Sequence, residues 1–196
     1  PLDVTDAAAV TDCFARIERD LGPVDLVLAA AGTYSPVSLD DFSPAPFRTM
    51  YETNFLGVVN VLTAVLPAFR QRRKGHISWI ASVAGYRGLP KAAAYGPTKA
   101  ALINLGESLR PELQADGVAV SVINPGFVKT PLTAQNDFEM PFLMEVDEAA
   151  RRTIAGLASG RFEVAYPTRF VTILKIARLL PYRIYFALIR SAVLKR

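Results

Sequence analysis

Three apolar runs that do not alternate constrain the fold of this chain more than any other feature. Residues 25–32 read Asp-Leu-Val-Leu-Ala-Ala-Ala-Gly, 77–81 read Ile-Ser-Trp-Ile-Ala, and 118–123 read Val-Ala-Val-Ser-Val-Ile. A strand with one face in water alternates apolar and polar side chains, whereas runs of this kind fit strands covered on both faces, as in a parallel sheet. Helical patterns separate them. After the N-cap candidates Thr5 and Asp6, the residues Val10, Phe14, Ile17 and Leu21 form one stripe that closes at Gly22-Pro23. Residues 45–72, 92–115 and 147–159 are also predicted helical, and 162–166 a short last strand. Parallel strands joined through helices give an α/β fold with right-handed crossovers.

In an open parallel sheet, ligands lie beyond the carboxyl ends of the strands. Small and polar residues collect at those ends here, in 29–32, 82–85 and 124–130. Glycine at a tight strand-to-helix turn needs no cofactor to explain it, so Gly32 and Gly85 alone decide nothing. Tyr95 and Lys99 add chemistry, because residues at i and i+4 share a helix face. A phenol with a pKa near 10 exchanges protons poorly at neutral pH, and a nearby ammonium is expected to lower that value, making Tyr95 a general acid/base. Ser82, at the end of the strand before it, can hydrogen-bond the same substrate oxygen.

Composition narrows the alternatives. With 51% apolar and 20% charged residues over 196 positions, the chain is long enough to build a core. The lone Cys13 allows no internal disulfide and suits a reducing compartment. His76, the only histidine, opens an apolar strand and reads as a strand-edge residue, so no metal mechanism is expected. A net charge of +4 permits nucleic-acid binding, but the basic excess gathers near the C-terminus without stacking aromatics spread along the chain, so none is expected. Residues 1–6 carry no signal-peptide pattern, and a cytoplasmic location is expected.

At these residues the chain resembles the classical short-chain dehydrogenases/reductases. The motifs occur in that family's order: Asp3-Val-Thr-Asp6, Ala29-Ala-Ala-Gly32, Asn54, Ser82, Tyr95-x-x-x-Lys99, then Pro125-Gly126 followed by Val128 and Thr130. A lone Tyr-x-x-x-Lys is weak, whereas six elements in sequence are specific. The resemblance implies a Rossmann-type three-layer, doubly wound parallel sheet, as one domain over 1–196, and an oxidoreductase using NADP or NAD. It implies that Tyr95 is the acid/base, that Ser82 orients the substrate carbonyl, and that Lys99 binds the nicotinamide ribose. Asn54 would hold a water that relays protons from Lys99. Asp3 and Val4 would meet the adenine, Ala30, Ala31 and Gly32 would line the adenosine ribose, and Pro125, Gly126, Val128 and Thr130 would close on the nicotinamide. A homo-oligomer is expected.

Two departures stand out. The family usually has Asn-Asn-Ala-Gly where this chain has Ala29-Ala-Ala-Gly32, so side-chain braces of the central sheet are expected to be absent. No glycine-rich turn opens the chain either, and the first two βα units, with roughly 50–70 residues, are expected upstream of Pro1.

From 169 to 196 the chain carries Arg169, Lys175, Arg178, Arg183, Arg190, Lys195 and Arg196 and no acidic residue, among many large apolar side chains that include Leu194. Pro181 divides this helical extension, 168–196, into pieces too short for the ~20 residues of a bilayer span. It reads first as a lid or subunit contact with its cations pointing outward, and second as a helix lying peripherally on a membrane. Either way the substrate is expected to be an apolar carbonyl or secondary alcohol. The rivals to an enzyme are a non-catalytic interaction protein on a dinucleotide fold and a membrane-peripheral binding module.

Overall fold

The computed structural model describes residues 1–136 and 138–193, so Leu194, Lys195 and Arg196 of the C-terminal extension lie outside the described residues. Four strands, β1 (Leu26–Ala29), β2 (Gly75–Ile80), β3 (Val118–Pro125) and β4 (Glu163–Tyr166), form one sheet in the order β1-β2-β3-β4. All three pairings are parallel, with Leu26 opposite His76, His76 opposite Ala119 and Val122 opposite Glu163. The α/β class read from the apolar runs is the one observed.

Helix α1 (Ala7–Leu21) starts where Asp6 accepts a hydrogen bond from the Ala9 N–H at 2.9 Å, and it ends at Gly22 with φ +96°. Its Phe14 meets Phe69 edge-on at 6.4 Å, docking α1 on α3 (Gly57–Gln71). The core lies between α3, α4 (Tyr95–Ala115) and the sheet, where Phe69, Trp79 and Leu102 are fully buried. Of the buried polar groups in the strands, Asn124 leaves its Oδ1 without a partner among the described residues, while Ser78 donates to the Val27 carbonyl at 2.8 Å. At the far end of β2, Ser121 donates to the Arg161 carbonyl and accepts from the His76 ring.

Two expectations change. The 25–32 run was expected to be covered on both faces, but only Val27 and Ala29 join the core; among the described residues β1 pairs only with β2, and Leu26 and Leu28, on its other face, remain 46% and 41% exposed. The helix expected over 45–72 is interrupted. Helix α2 (Pro44–Tyr51) passes through one π turn, Glu52–Leu56, into α3.

After β4, α5 having occupied Val146–Ala158, the chain forms α6 (Thr168–Leu179) and α7 (Tyr182–Val193), divided by Pro181 as the sequence predicts. Phe170 and Val171 bury the inner face of α6 in the core. Arg87, on the loop after β2, clamps the junction. Its guanidinium donates to the carbonyls of Ala177, Arg178 and Leu180 at 2.5, 3.1 and 2.8 Å and lies 3.9 Å from the centre of the Tyr185 ring. Tyr185 returns a hydrogen bond to the Gly88 carbonyl at 2.6 Å.

Candidate active site

Ser82 follows β2 and caps a single 3-10 turn, Val83–Gly85, by accepting from the Ala84 N–H at 3.1 Å. That turn rests directly on α4. A Cβ at Gly85 would stand 2.7 Å from the Lys99 carbonyl carbon and 2.8 Å from the Ala100 nitrogen, so only glycine permits the approach. The Ser82 hydroxyl hydrogen-bonds the Tyr95 phenol and also lies 3.4 Å from the Pro125 carbonyl, joining the ends of β2 and β3 to the first turn of α4. Tyr95 is backed by Val37, Met50 and Ala94, and Tyr34 meets its ring edge-on at 5.3 Å.

One turn along, Lys99 is buried, with its ammonium 5.4 Å from the Tyr95 ring centre and donating to the Ile80 carbonyl at 2.9 Å. Burial brings the Lys99 pKa down to about 8. Tyr95 moves the opposite way to expectation. Burial pushes its hydroxyl up to about 12; the Ser82 hydrogen bond pulls it back and Tyr34 adds to the rise. The expected lowering by Lys99 is not observed, because the ammonium is engaged by Ile80 and desolvation of the phenolate outweighs the rest.

Asn54 sits fully buried in the π turn, the irregularity that often marks a working site. Its amide nitrogen donates to the Thr33 carbonyl at 2.9 Å and to the Thr98 hydroxyl at 3.3 Å, while its oxygen accepts from the Thr33 N–H at 2.7 Å. Both amide protons are therefore committed to protein. A relay water expected at Asn54 has only the second lone pair of Oδ1, or the backbone, to hold it. The same bonds brace the β1 loop to α4, so bracing that was expected to be absent with Ala29-Ala-Ala-Gly32 comes from Asn54.

Ala30, Ala31 and Gly32 are exposed at the carboxyl end of β1. A Cβ on Gly32 would lie 3.9 Å from the Lys99 ammonium and 3.4 Å from the Asn54 oxygen, so glycine keeps that wall open beside the cation. Lys99 retains two N–H donors beyond the one given to Ile80. Exposed backbone, open space and a buried cation at a strand end suit a ribose and its phosphates.

The remaining expected residues lie around this centre. Asp3 accepts from Thr5 and is held below the usual carboxylate range by those bonds, while Val4 docks on α3 through Asn60, which donates to its carbonyl at 2.9 Å. Pro125 ends β3, and the Gly126 N–H donates to the Tyr166 carbonyl at 2.7 Å. Val128 bridges Met144, and Thr130 is tied to Thr133 rather than to the centre. Phe127, Phe138 and Phe142 gather with Phe170 in an aromatic group beside Gly126, with ring centres 5.7–5.8 Å apart. Behind Pro125, the Glu163 carboxylate accepts from Asn124 at 2.9 Å and Tyr86 at 2.5 Å and pairs with Lys175.

A family model described as short chain dehydrogenase matches residues 1–140. The chain belongs to the short-chain dehydrogenase family. This dehydrogenase is 39% identical to an uncharacterized oxidoreductase of Myxococcus xanthus over 96% of its own length and 75% of the relative's. It is 30% identical to human 17-beta-hydroxysteroid dehydrogenase 13, covering 100% of this chain and 67% of that protein. A solved short chain dehydrogenase from Burkholderia cenocepacia, in complex with NADP, superimposes with a TM-score of 0.82 at 25% identity, over 96% of this chain and 76% of the other. The family and the sheet make this dehydrogenase a Rossmann-type α/β oxidoreductase, in agreement with the sequence motifs.

Proposed function

We propose that the chain interconverts carbonyl groups and secondary alcohols on bulky apolar molecules, with NADP or NAD as cofactor. When bound, the nicotinamide supplies or takes up the hydride. The observation that carries the proposal is the convergence of Ser82, Tyr95 and Lys99 through the Gly85 contact. A scaffold that did no chemistry would have no need to bury a lysine beside a tyrosine at the mouth of a sheet, which disfavours the non-catalytic alternative.

In carbonyl reduction, Tyr95 gives its proton to the substrate oxygen as the carbon is reduced. With its pKa near 12, it stays protonated at neutral pH and is always a competent donor in that direction. Ser82 donates to the same oxygen as its charge grows, in place of its long contact with Pro125. Lys99 would hold the ribose beside Gly32 and is the cation from which Tyr95 regains its proton, with Asn54 positioning the water that reaches solvent. Asp3, Val4, Ala30 and Ala31 hold the adenosine end, and Pro125, Gly126, Val128 and Thr130 the nicotinamide end. Phe127, Phe138 and Phe142 offer the apolar wall, and the hydroxysteroid dehydrogenase name of one relative fits that substrate class. We take residues 1–196 as one such domain, working in the cytoplasm as a homo-oligomer.

Tyr95→Phe removes a single hydroxyl. In the intact enzyme it is expected to lower kcat by on the order of 10²-fold or more without changing the melting temperature. Turnover within a few-fold of wild type would reject Tyr95 as the proton donor.

A further inference from the structure

We propose that the outer face of α6 and α7 is a docking surface for an anionic lipid bilayer. The inner face of this helix pair is settled: Phe170 and Val171 enter the core, and Tyr185 is buried under the Arg87 clamp. The outer face is apolar and open. On α6, Ile173, Ile176 and Leu179 follow one another along one side, with Leu179 83% exposed, and Arg169 shares that side at one and two turns from Ile173 and Ile176. On α7, Tyr182 is 70% exposed and stacks on Phe186 at 5.6 Å. The exposed pair Ile184 and Leu188 lines, with Pro181 and Ala187, an open groove of about 690 Å³. Arg183 and Arg190 form the stripe between these two apolar sides.

Charge selects the occupant. From 169 to 196 there are seven basic residues and no acidic one. A second copy meeting this face about a two-fold axis would set the same patch against itself, cation against cation, with nothing in the segment to neutralise it. An anionic headgroup layer supplies the missing charge, while aromatic and aliphatic side chains enter the boundary with the acyl chains. Each helix has 12 residues, too short to span, so the pair would lie in the interface plane. The longer apolar stretch Pro44–Gln71 offers no rival surface, because Val58, Leu62, Val65 and Phe69 of that stretch are buried in the core. Arg87 fixes α6 and α7 to the loop that carries Ser82, so docking would set the orientation of the active site to the lipid.

Flotation of the intact protein with vesicles tests this without any assay of turnover. Phosphatidylcholine vesicles containing roughly one-third phosphatidylserine should carry the protein, pure phosphatidylcholine should carry far less, and high salt should release it. The double variant Arg183→Gln/Arg190→Gln should lower the partition coefficient by about 30-fold, from about 1 kcal/mol for each basic side chain near the surface. Ile184→Ser/Leu188→Ser should weaken it as well, and Ile176→Ser, on the other helix, gives an independent measure should α7 fail to fold. Equal binding to neutral and anionic vesicles, or unchanged binding in the arginine variant, would overturn the proposal. So would a dimer in sedimentation velocity that Ile184→Ser/Leu188→Ser converts to monomer, since the occupant would then be a second copy.

Discussion

Tyr95 and Lys99 lie one turn apart, yet burial moves their pKa values in opposite senses, to about 12 and about 8. Desolvation disfavours whichever form is charged, so it keeps the phenol protonated and strips the proton from the ammonium earlier. Tyr95 therefore holds its proton across the working range, and Lys99 is the group that changes. Carbonyl reduction is expected to be steady below pH 8 and to fall as pH rises through about 8, where Lys99 loses its charge. Lys99→Met should erase that limb and leave a low, flat rate. A wild-type profile that breaks only above pH 10 would put Tyr95 alone in control. Spacing was enough to find the pair, because helical period fixes which residues share a face. The direction of the phenol shift was not legible, since it depends on Ile80, Val37, Met50 and Tyr34, which only tertiary packing brings around them.

The 3-10 turn of Val83–Gly85 and the first turns of α4 touch backbone to backbone, and no flexible side chain lies between them to absorb an added atom. Gly85→Ala is accordingly expected to destabilise the fold by about 1–3 kcal/mol and to lower kcat by shifting Ser82 away from Tyr95. Calorimetric melting and steady-state kinetics check both parts; a variant that melts and turns over like wild type would mean that the turn can shift freely. Sequence marks Gly85 only as a turn residue, because a glycine needed for a close approach reads the same as one needed for a bend. The π turn at Asn54 was hidden for a related reason. One inserted residue leaves the apolar stripe of 44–71 nearly continuous, so periodicity predicts a single helix there. The strand runs gave the elements well, except that composition does not tell which face of a strand is covered, as Leu26 and Leu28 show.

Across the whole molecule, one side chain ties both C-terminal helices to the loop after β2. Arg87 supplies three hydrogen bonds to carbonyls at and just past the end of α6 and a cation–π contact to α7. Bonds from a charged donor contribute about 1.5–3 kcal/mol. Arg87→Met should therefore speed amide exchange in 168–193 by about ten- to a hundredfold while leaving β2 and β3 protected; uniform protection in the variant would show that packing of Phe170 and Val171 is sufficient. This clamp was not legible from sequence, where Arg87 is one more cation in a loop and its partners lie some ninety positions away.

The strand order is also the order of synthesis. From β2 to β4 each strand pairs with the one made just before it, roughly forty to fifty residues earlier, and none of these is threaded between two described strands already joined. These four strands can therefore be added one after another as the chain leaves the ribosome, without rearrangement among them. Ser82 would wait at the end of β2 until Tyr95 arrives with α4. Protease resistance in stalled chains of increasing length should then appear stepwise, first when β2 has emerged and again with β3. A single late step, only after α7, would show instead that the clamped helices and the sheet fold as one unit.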